Sequence, residues 1–350
     1  MTELRKAESD VKLEEELSYR DRLPEGSSFY EFSGALILGE AQGHDIAFIS
    51  MPINVGGPVW LVEDTFFVQT QFIAIPQESP IVMRDIETVG NRNFPTEWPA
   101  GGTHIIQKDD AVIWEVGNRR HICRPPYWEI KGEHIGVDCD ILMGGLGNAA
   151  STFGDWADVN TTQRAGLDQP CWAEGTFKVG GTTYTLEKAY GVHERLLWGD
   201  ISDYPQTFKD APYFWIWVVS DSIRASAFIC PKLNYGFAHV HAEGKEIPFS
   251  VEDIGLTPLE WWVDPKNQMY VPHRWHLNMN SENGVFDVEL TAGSRLLFNY
   301  ATRSGVTTHH GMVGRANGRF FFTDGHSMSV ENVQMWVEQG YTTIPFGPGV

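Results

Sequence analysis

The sequence is poor in basic residues. Lysine and arginine together number 26, against 46 aspartates and glutamates, which gives a formal net charge of -20 over 350 residues. Binding to phosphate groups requires clustered Lys and Arg side chains. We therefore expect neither nucleic acid nor an anionic membrane surface as a partner.

Long apolar runs are also missing. No stretch approaches the roughly 20 apolar residues that a membrane-spanning helix needs. The first 22 residues are rich in charge and contain no apolar core of the kind found in signal peptides. We expect no membrane span, and a cytoplasmic protein, or a secreted one if a leader peptide has been removed.

Cysteine is scarce and widely spaced. The four cysteines form no CxxC pair, which disfavours a zinc knuckle or a thioredoxin-like site; they are Cys123, Cys139, Cys171 and Cys230. Their even number leaves two disulfides open. GxSxG and P-loop motifs are absent, and no GxGxxG stands in a usable context. We expect no cofactor, neither a metal nor a nucleotide.

Aromatic residues, by contrast, are abundant. They make up 13% of the chain and include 13 tryptophans, which favours β-rich packing or an aromatic-lined pocket. After a polar, helix-prone arm, short alternating runs are separated by Gly, Pro, Asn and Asp, which is typical of antiparallel sheets or barrels. We predict an all-β chain with a short N-terminal helical arm at 1–28 and two similar β units at 29–200 and 201–350.

The stretch 171–200 is the centre of the functional hypothesis. Gly180-Gly181 separates two alternating runs and predicts a tight hairpin turn. On a strand, His193 and Glu194 point to opposite faces, and a bulge near Gly191 would bring them to one side. The alternative is an ordinary hairpin with a cross-strand ion pair.

Two sequence patterns together resemble a lipocalin-like family of hydratases and cyclases. The first is FYEFSG at 29–34 with GHDIAF at 43–48, followed by the tryptophan-containing WLVED at 60–64. The second is GVHERLLWG at 191–199, in which Glu194 matches the acid of the family motif. Arg195 stands where the family often has His, and one additional residue precedes Trp198-Gly199. The family includes carotenoid hydratase, kievitone hydratase and hetero-Diels–Alderases.

The resemblance implies two consecutive lipocalin-like antiparallel β-barrels with a small-molecule pocket in or between them. It also implies a cofactor-free lyase (hydratase or dehydratase) or cyclase. Its substrate would be a hydrophobic terpenoid, prenylated or polyketide-like small molecule. Such chemistry needs an acid and a base, and desolvation in an aromatic cavity makes a carboxyl group a usable acid.

On these grounds we expect the catalytic residues to be Glu194, His193, Asp64 and His326, with Asp200 as a further partner. Asp64 follows the apolar run that starts at Trp60, and a turn aspartate is the alternative reading. His326 and Glu331 follow Asn317-Gly318, which predicts a second hairpin turn. We expect substrate-binding residues at Trp60, Tyr190, Trp198, Tyr213, Trp215, Trp217, His241 and Glu331.

Two other functions remain open at this point. A lipocalin-type carrier would use the same cavity without catalysis. A metal-dependent, cupin-like enzyme would use His239 and His241, which share one face of a strand, with Glu246 nearby. His309 and His310 are adjacent, so at most one of them reaches a pocket. The sequence leaves the oligomeric state open and is compatible with a homodimer.

Overall fold

Antiparallel β-strands make up most of the molecule. A computed structural model describes residues 4–58, 65–90, 103–199, 212–302 and 305–345. In these residues the strands form two antiparallel sheets, one of which is a curled half-barrel. The all-β, lipocalin-like class expected from the sequence is therefore confirmed.

The first sheet contains the thirteen strands that precede residue 199 in the described residues. They are β1 Phe29–Ala41, β2 His44–Gly56, β3 Thr65–Pro76, β4 Val89–Gly90, β5 Thr103–Lys108, β6 Ala111–Val116, β7 Arg119–Arg124, β8 Tyr127–His134, β9 Val137–Gly145, β10 Ala150–Ser151, β11 Arg164–Val179, β12 Thr182–Thr185 and β13 Lys188–Trp198. Their order is β4-β3-β2-β1-β13-β11-β9-β8-β7-β6-β5, with β10 and β12 paired to β11.

The second sheet is formed by nine described strands. They are β14 Tyr213–Val219, β15 Ile223–Cys230, β16 Tyr235–Ala242, β17 Lys245–Ser250, β18 Ile254–Val263, β19 Tyr270–Ser281, β20 Gly284–Thr302, β21 Gly305–Phe322 and β22 Ser327–Pro345. Their order is β17-β16-β15-β14-β22-β21-β20-β19-β18. Within the described ranges, helical structure is limited to the short α1 Val159–Thr162 and to 3-10 turns at Leu13–Glu16, Arg20–Arg22, Trp156–Asp158, Pro231–Leu233 and Val251–Asp253.

Two strands that are buried on both faces separate distinct hydrophobic cores. On β1, Leu36 and Leu38 enter a core shared by both sheets, whereas Ala35 and Ile37 enter a core on the other side of the first sheet. β14 alternates in the same way between the shared core and a core of the second sheet. This period of two places each side chain of these strands in one of two environments.

The N-terminal arm runs across the inner face of the first sheet. Over residues 4–28 it is mainly irregular, and the helical content predicted for the arm is limited to the two 3-10 turns already given. The Glu16 carboxylate is fully buried, and its backbone oxygen accepts a hydrogen bond from Trp114 Nε1 at 2.9 Å. The Leu17 oxygen accepts one from Arg195 Nη2 at 2.8 Å. The arm is therefore part of the first sheet's core and not a separate appendage.

Two predicted hairpin turns have different outcomes. Gly180 and Gly181 connect β11 to β12 with φ angles of 55° and 84°, as the Gly-Gly signal predicts. The prediction for Asn317-Gly318 is wrong, because both residues lie within β21, where the pairing with β22 shifts between Ala316 and Gly318. Asn317 and Gly318, which favour a turn, here occupy an irregularity in the pairing of a long strand.

The proposed division of the chain near residue 200 remains a prediction. The two sheets do meet through polar contacts as well as through the shared core. Gln71 Nε2 donates to the Leu297 oxygen at 2.9 Å, and the buried Arg315 bridges to Asp45 and Glu40.

Among the described helices, none is long and apolar enough to cross a bilayer.

Candidate active site

A small cavity lies between the two sheets and is lined by residues of both. Its volume is about 80 Å³. Its walls are mainly aromatic, with rings from β1, β13, β14 and β15: Tyr30, Phe32, Trp198, Tyr213, Trp215 and Phe228. Thr152 and Phe153 also line it. They belong to the irregular segment between β10 and α1, which therefore contributes to the cavity wall.

Three carboxyl groups face this aromatic cavity. Glu194 comes from β13, Asp168 from β11 and Glu338 from β22. Asp168 and Glu194 are directly opposite one another in the antiparallel pairing of β11 and β13. Opposite residues share a face, with Cβ atoms about 5 Å apart. The two acids thus stand side by side on one wall.

Burial and mutual repulsion change the acidity of this pair. Desolvation, together with the neighbouring Glu338 carboxylate, raises the pKa of Asp168 from 3.8 to about 7, although a hydrogen bond from Trp215 opposes the shift. Burial, followed by the charges of Asp168 and Glu338, raises the pKa of Glu194 well above its usual range. Both groups therefore hold protons at pH values where ordinary carboxyls are ionised.

The Asp168 carboxyl is held at one oxygen only. Trp215 donates its Nε1–H to Oδ2 at 2.9 Å. Oδ1 is buried and has no hydrogen-bond partner in the described part of the chain, and the residue is 2% exposed. Glu194 is half-buried and lines the cavity. Glu194 is thus the more accessible of the two carboxyls, and Asp168 lies buried beside it.

Glu338 belongs to a hydrogen-bonded group behind the cavity. Tyr213 donates its hydroxyl to Glu338 Oε1 at 2.7 Å. His309 Nδ1 lies 3.0 Å from the same oxygen and 2.9 Å from the Tyr213 hydroxyl. The adjacent His310 points elsewhere, with its Nε2 3.3 Å from Asp264 Oδ2. Of the two neighbouring histidines, His309 is therefore the one that supports the cavity.

His193 does not reach the cavity. The pairing of β13 with β1 and β11 continues without a shift through Gly191 and beyond, so the expected bulge is absent. His193 and Glu194 therefore point to opposite faces, and the expectation that they share one site is wrong. His193 Nε2 lies 2.7 Å from Glu16 Oε1, and its ring stacks on Trp128 with centroids 4.7 Å apart.

The face that holds His193 is a structural network of buried charges. Burial opposes ionisation of Glu16, but His193, Trp128 and Arg195 outweigh it, so the pKa of Glu16 is lowered. Arg195 also pairs with the buried Glu31 at 3.0 Å. These contacts attach the N-terminal arm to the first sheet.

The remaining predicted site residues are scattered. Trp198, Tyr213 and Trp215 line the cavity. Trp217 packs edge-on to Trp215 in the shared core, and Tyr190 packs against that core, but neither lines the cavity. Trp60, Asp64 and Asp200 lie outside the described residues.

His326 and Glu331 lie at the surface and away from the cavity. His326 pairs with Asp324 and Glu243. Glu331 is exposed and accepts a hydrogen bond from Ser329 at 2.6 Å. Neither residue lines the cavity: His326 lies in the turn between β21 and β22, and Glu331 lies near the start of β22.

The histidine pair of the cupin-like alternative lies beside Glu246 on the second sheet. His239 Nδ1 lies 3.1 Å and His241 Nε2 3.8 Å from Glu246 Oε1. His241 does not line the cavity. The described part of the chain contains no group of three or more His, Cys, Asp or Glu side chains arranged to hold a metal. All four cysteines are free and buried.

Two cavity carboxyls, Asp168 and Glu338, were not predicted from the sequence, and neither was the contact of His309 with Glu338. Near the Gly-Gly turn, Val179 is opposite Thr182, and continuing this register would place Asp168 opposite His193. A break between β12 and β13 shifts the pairing by one residue, which places Asp168 opposite Glu194. The available signal was an acidic residue alternating with apolar ones along 164–179.

Comparisons with known proteins identify the fold. Neither a family model nor a curated protein matches the sequence. Kievitone hydratase from Nectria haematococca is similar in structure, with a TM-score of 0.55 and 13% identity over 97% of this chain and 98% of that chain. CghA with Sch210972 gives a TM-score of 0.53 and 11% identity over 91% and 89%. A candidate AttH from Nitrosomonas europaea gives 0.53 and 10% over 90% and 93%.

These similarities extend over nearly the whole chain. They confirm, at the level of the fold, the resemblance to lipocalin-like hydratases and cyclases that the sequence indicated. At such low identity, residue roles have to be argued from this chain's own geometry.

Proposed function

We propose that the chain is an enzyme that performs acid–base chemistry without a redox cofactor on a hydrophobic small molecule. The reaction is addition or loss of water, or cyclisation, and the substrate is terpenoid, prenylated or polyketide-like. The observation that carries the proposal is the pair of adjacent carboxyls, the buried Asp168 and the half-buried Glu194, in an aromatic cavity. Kievitone hydratase, named for a hydration, is one of the structures with this fold.

Glu194 is the proposed general acid. Its raised pKa keeps the proton on the carboxyl at pH values where an ordinary glutamate is ionised. In a hydration, this proton is transferred to an alkene carbon and a water oxygen bonds to the other carbon. The bound water then loses one of its two protons to a carboxylate, which we assign to Glu338, whose Oε1 is oriented by Tyr213 and His309. The other proton stays on the product hydroxyl, and transfer of a proton from Glu338 to Glu194 through water restores the starting state. Dehydration runs the same steps in reverse.

Asp168 is proposed as a positioning residue for this acid. Its charge is one cause of the raised pKa of Glu194, and Trp215 fixes its orientation. Removing it should lower the pKa of Glu194 and so move the pH profile of the reaction. His193 is assigned to attachment of the arm, which replaces the acid–base partnership expected from the sequence.

The test compares variants on a mixture of neutral prenylated and polyketide-like compounds, followed by mass spectrometry. Wild type should add or remove one water, or give an isobaric product with a new retention time. Glu194→Gln should lose about 100-fold or more of the rate. Glu331→Gln, at the exposed surface, is the control and should match wild type.

Two outcomes would overturn the proposal. Full activity of Glu194→Gln would remove its central residue. Binding of compounds by wild type without any conversion would indicate the carrier function instead.

A further inference from the structure

Two of the three cavity carboxyls, Asp168 and Glu194, have no basic partner among the described residues, unlike Glu338, which lies beside His309, and unlike buried carboxylates elsewhere in this chain. Glu16 is paired with His193 at 2.7 Å, and Glu31 with Arg195 at 3.0 Å. Asp264 is likewise paired with Arg295, at 2.7 Å. Among the described residues that line the cavity there is no Lys, Arg or His.

This absence is energetically expensive. Transfer of a carboxylate from water to an apolar interior is unfavourable unless an opposite charge or several hydrogen bonds accompany it. Asp168 meets that cost at one oxygen through Trp215, whereas Oδ1 is buried without a partner in the described chain. Protonation avoids this cost, and a bound positive charge would offset it when the carboxyl is ionised.

The aromatic wall favours the same kind of ligand. The faces of Trp, Tyr and Phe rings attract cations at centroid distances within about 6 Å, with Trp the strongest. Trp198 already makes such a contact, with the exposed Arg164, whose guanidinium carbon lies 5.2 Å from the ring centroid. Trp215, Tyr213 and Phe228 add further rings around the carboxyls.

We propose that the cavity selects a hydrophobic molecule with a positive charge among these rings. The charge is either an ammonium group of the substrate or a cationic centre that develops on it during the reaction. This inference rests on the proposed function, because it names the charge that the acid–base site stabilises. A purely apolar lining could not stabilise such a charge.

Binding of such a ligand depends on pH through the cavity carboxyls. The groups that face Asp168 are Glu194 on β13 and Glu338 on β22, and Tyr213 and His309 contact Glu338. A cation favours the ionised form of Asp168, whose pKa is raised to about 7 without the ligand. Affinity should therefore increase with pH up to about that value and level off above it.

The experiment measures binding of benzyltrimethylammonium and of its neutral carbon counterpart, neopentylbenzene, by quenching of tryptophan fluorescence. The charge of the first probe is permanent, so any pH dependence comes from the protein. Between about pH 5.5 and about pH 7.5, the affinity for the cation should rise by about tenfold or more. The affinity for neopentylbenzene should stay constant. Asp168→Asn should weaken cation binding and flatten its pH dependence.

The overall negative charge of the protein requires a control. Glu331→Gln removes an exposed carboxylate and should bind both probes like wild type. An unchanged pH dependence in Asp168→Asn would mean that the cation is attracted by the surface and would overturn the inference. Equal or tighter binding of neopentylbenzene at both pH values would overturn it as well.

The same probe separates this inference from the proposed function. Competitive inhibition of the conversion of a neutral substrate would support a charge that arises during the reaction. Conversion confined to amines would support a charged substrate. Loss of turnover in Glu194→Gln without any cation binding would refute the inference alone. Cation binding by a protein that converts no compound would refute the proposed function alone.

Discussion

Replacement of Asp168 by Asn should stabilise the protein in a pH-dependent manner. The side chain is 2% exposed and is opposite Glu194 in the sheet. Asn has almost the same shape but cannot ionise. The variant therefore removes the cost of a buried negative charge while leaving the packing nearly unchanged.

The size of the effect follows from the raised pKa of Asp168. In the unfolded chain the carboxyl titrates near 3.8, and in the folded protein at about 7. Below pH 3.8, the carboxyl is protonated in both the folded and the unfolded chain, and the folded state carries no cost of a buried charge. As the pH rises from 3.8 to about 7, the unfolded chain ionises first, and the folded state loses stability progressively. Each pH unit within this window changes the free energy of unfolding by about 1.4 kcal/mol. From about pH 5.5 to about pH 8, the wild type should lose about 2 kcal/mol relative to Asp168→Asn.

Urea unfolding at several pH values measures this difference directly. The gap in unfolding free energy between Asp168→Asn and wild type should widen by about 2 kcal/mol between about pH 5.5 and about pH 8. Glu331→Gln, at an exposed carboxylate, should show no such change. A gap that does not depend on pH would refute the assignment of a raised pKa to Asp168, and with it the electrostatic account of the cavity.

Two further predictions concern the buried ion pairs. Glu16→Ala should destabilise the protein by about 3 to 5 kcal/mol in urea unfolding, because it leaves buried partners without their counter-charge, whereas the exposed Glu14→Ala should have little effect. Arg315→Met removes the contacts with Asp45 that connect the two sheets and should cost about 3 kcal/mol by the same measurement; the exposed Arg319→Met should change stability by less than about 1 kcal/mol.

The features that could be predicted from the sequence depend on local periodicity. The Gly180-Gly181 turn follows from backbone conformations that glycine tolerates. Tyr213, Trp215 and Trp217 share one face, as their alternation predicts, and all three enter the core between the sheets. For Glu194, the prediction followed from the motif at 191–199 and from the alternation of side chains along its own strand.

The features that could not be predicted depend on long-range pairing. A one-residue shift in strand register changes which residue of the neighbouring strand lies opposite a given side chain. The new neighbour is the one whose side chain previously pointed to the other face of the sheet. The break before β13 produces such a shift and brings Asp168 to Glu194, which no local pattern reveals. The pairing of Glu16 with His193 joins positions 177 residues apart and was equally hidden.

Strand β13 explains why attachment of the arm and the cavity belong together. Its odd positions carry His193 and Arg195, which pair with carboxylates of the arm and of β1 and are satisfied. Its even positions carry Glu194 and Trp198, which face the cavity. Since a strand moves as a unit, contacts that fix one face also fix the position of the other. The compensated charges on one side therefore provide the rigid support on which an uncompensated acid on the other side can be held for catalysis.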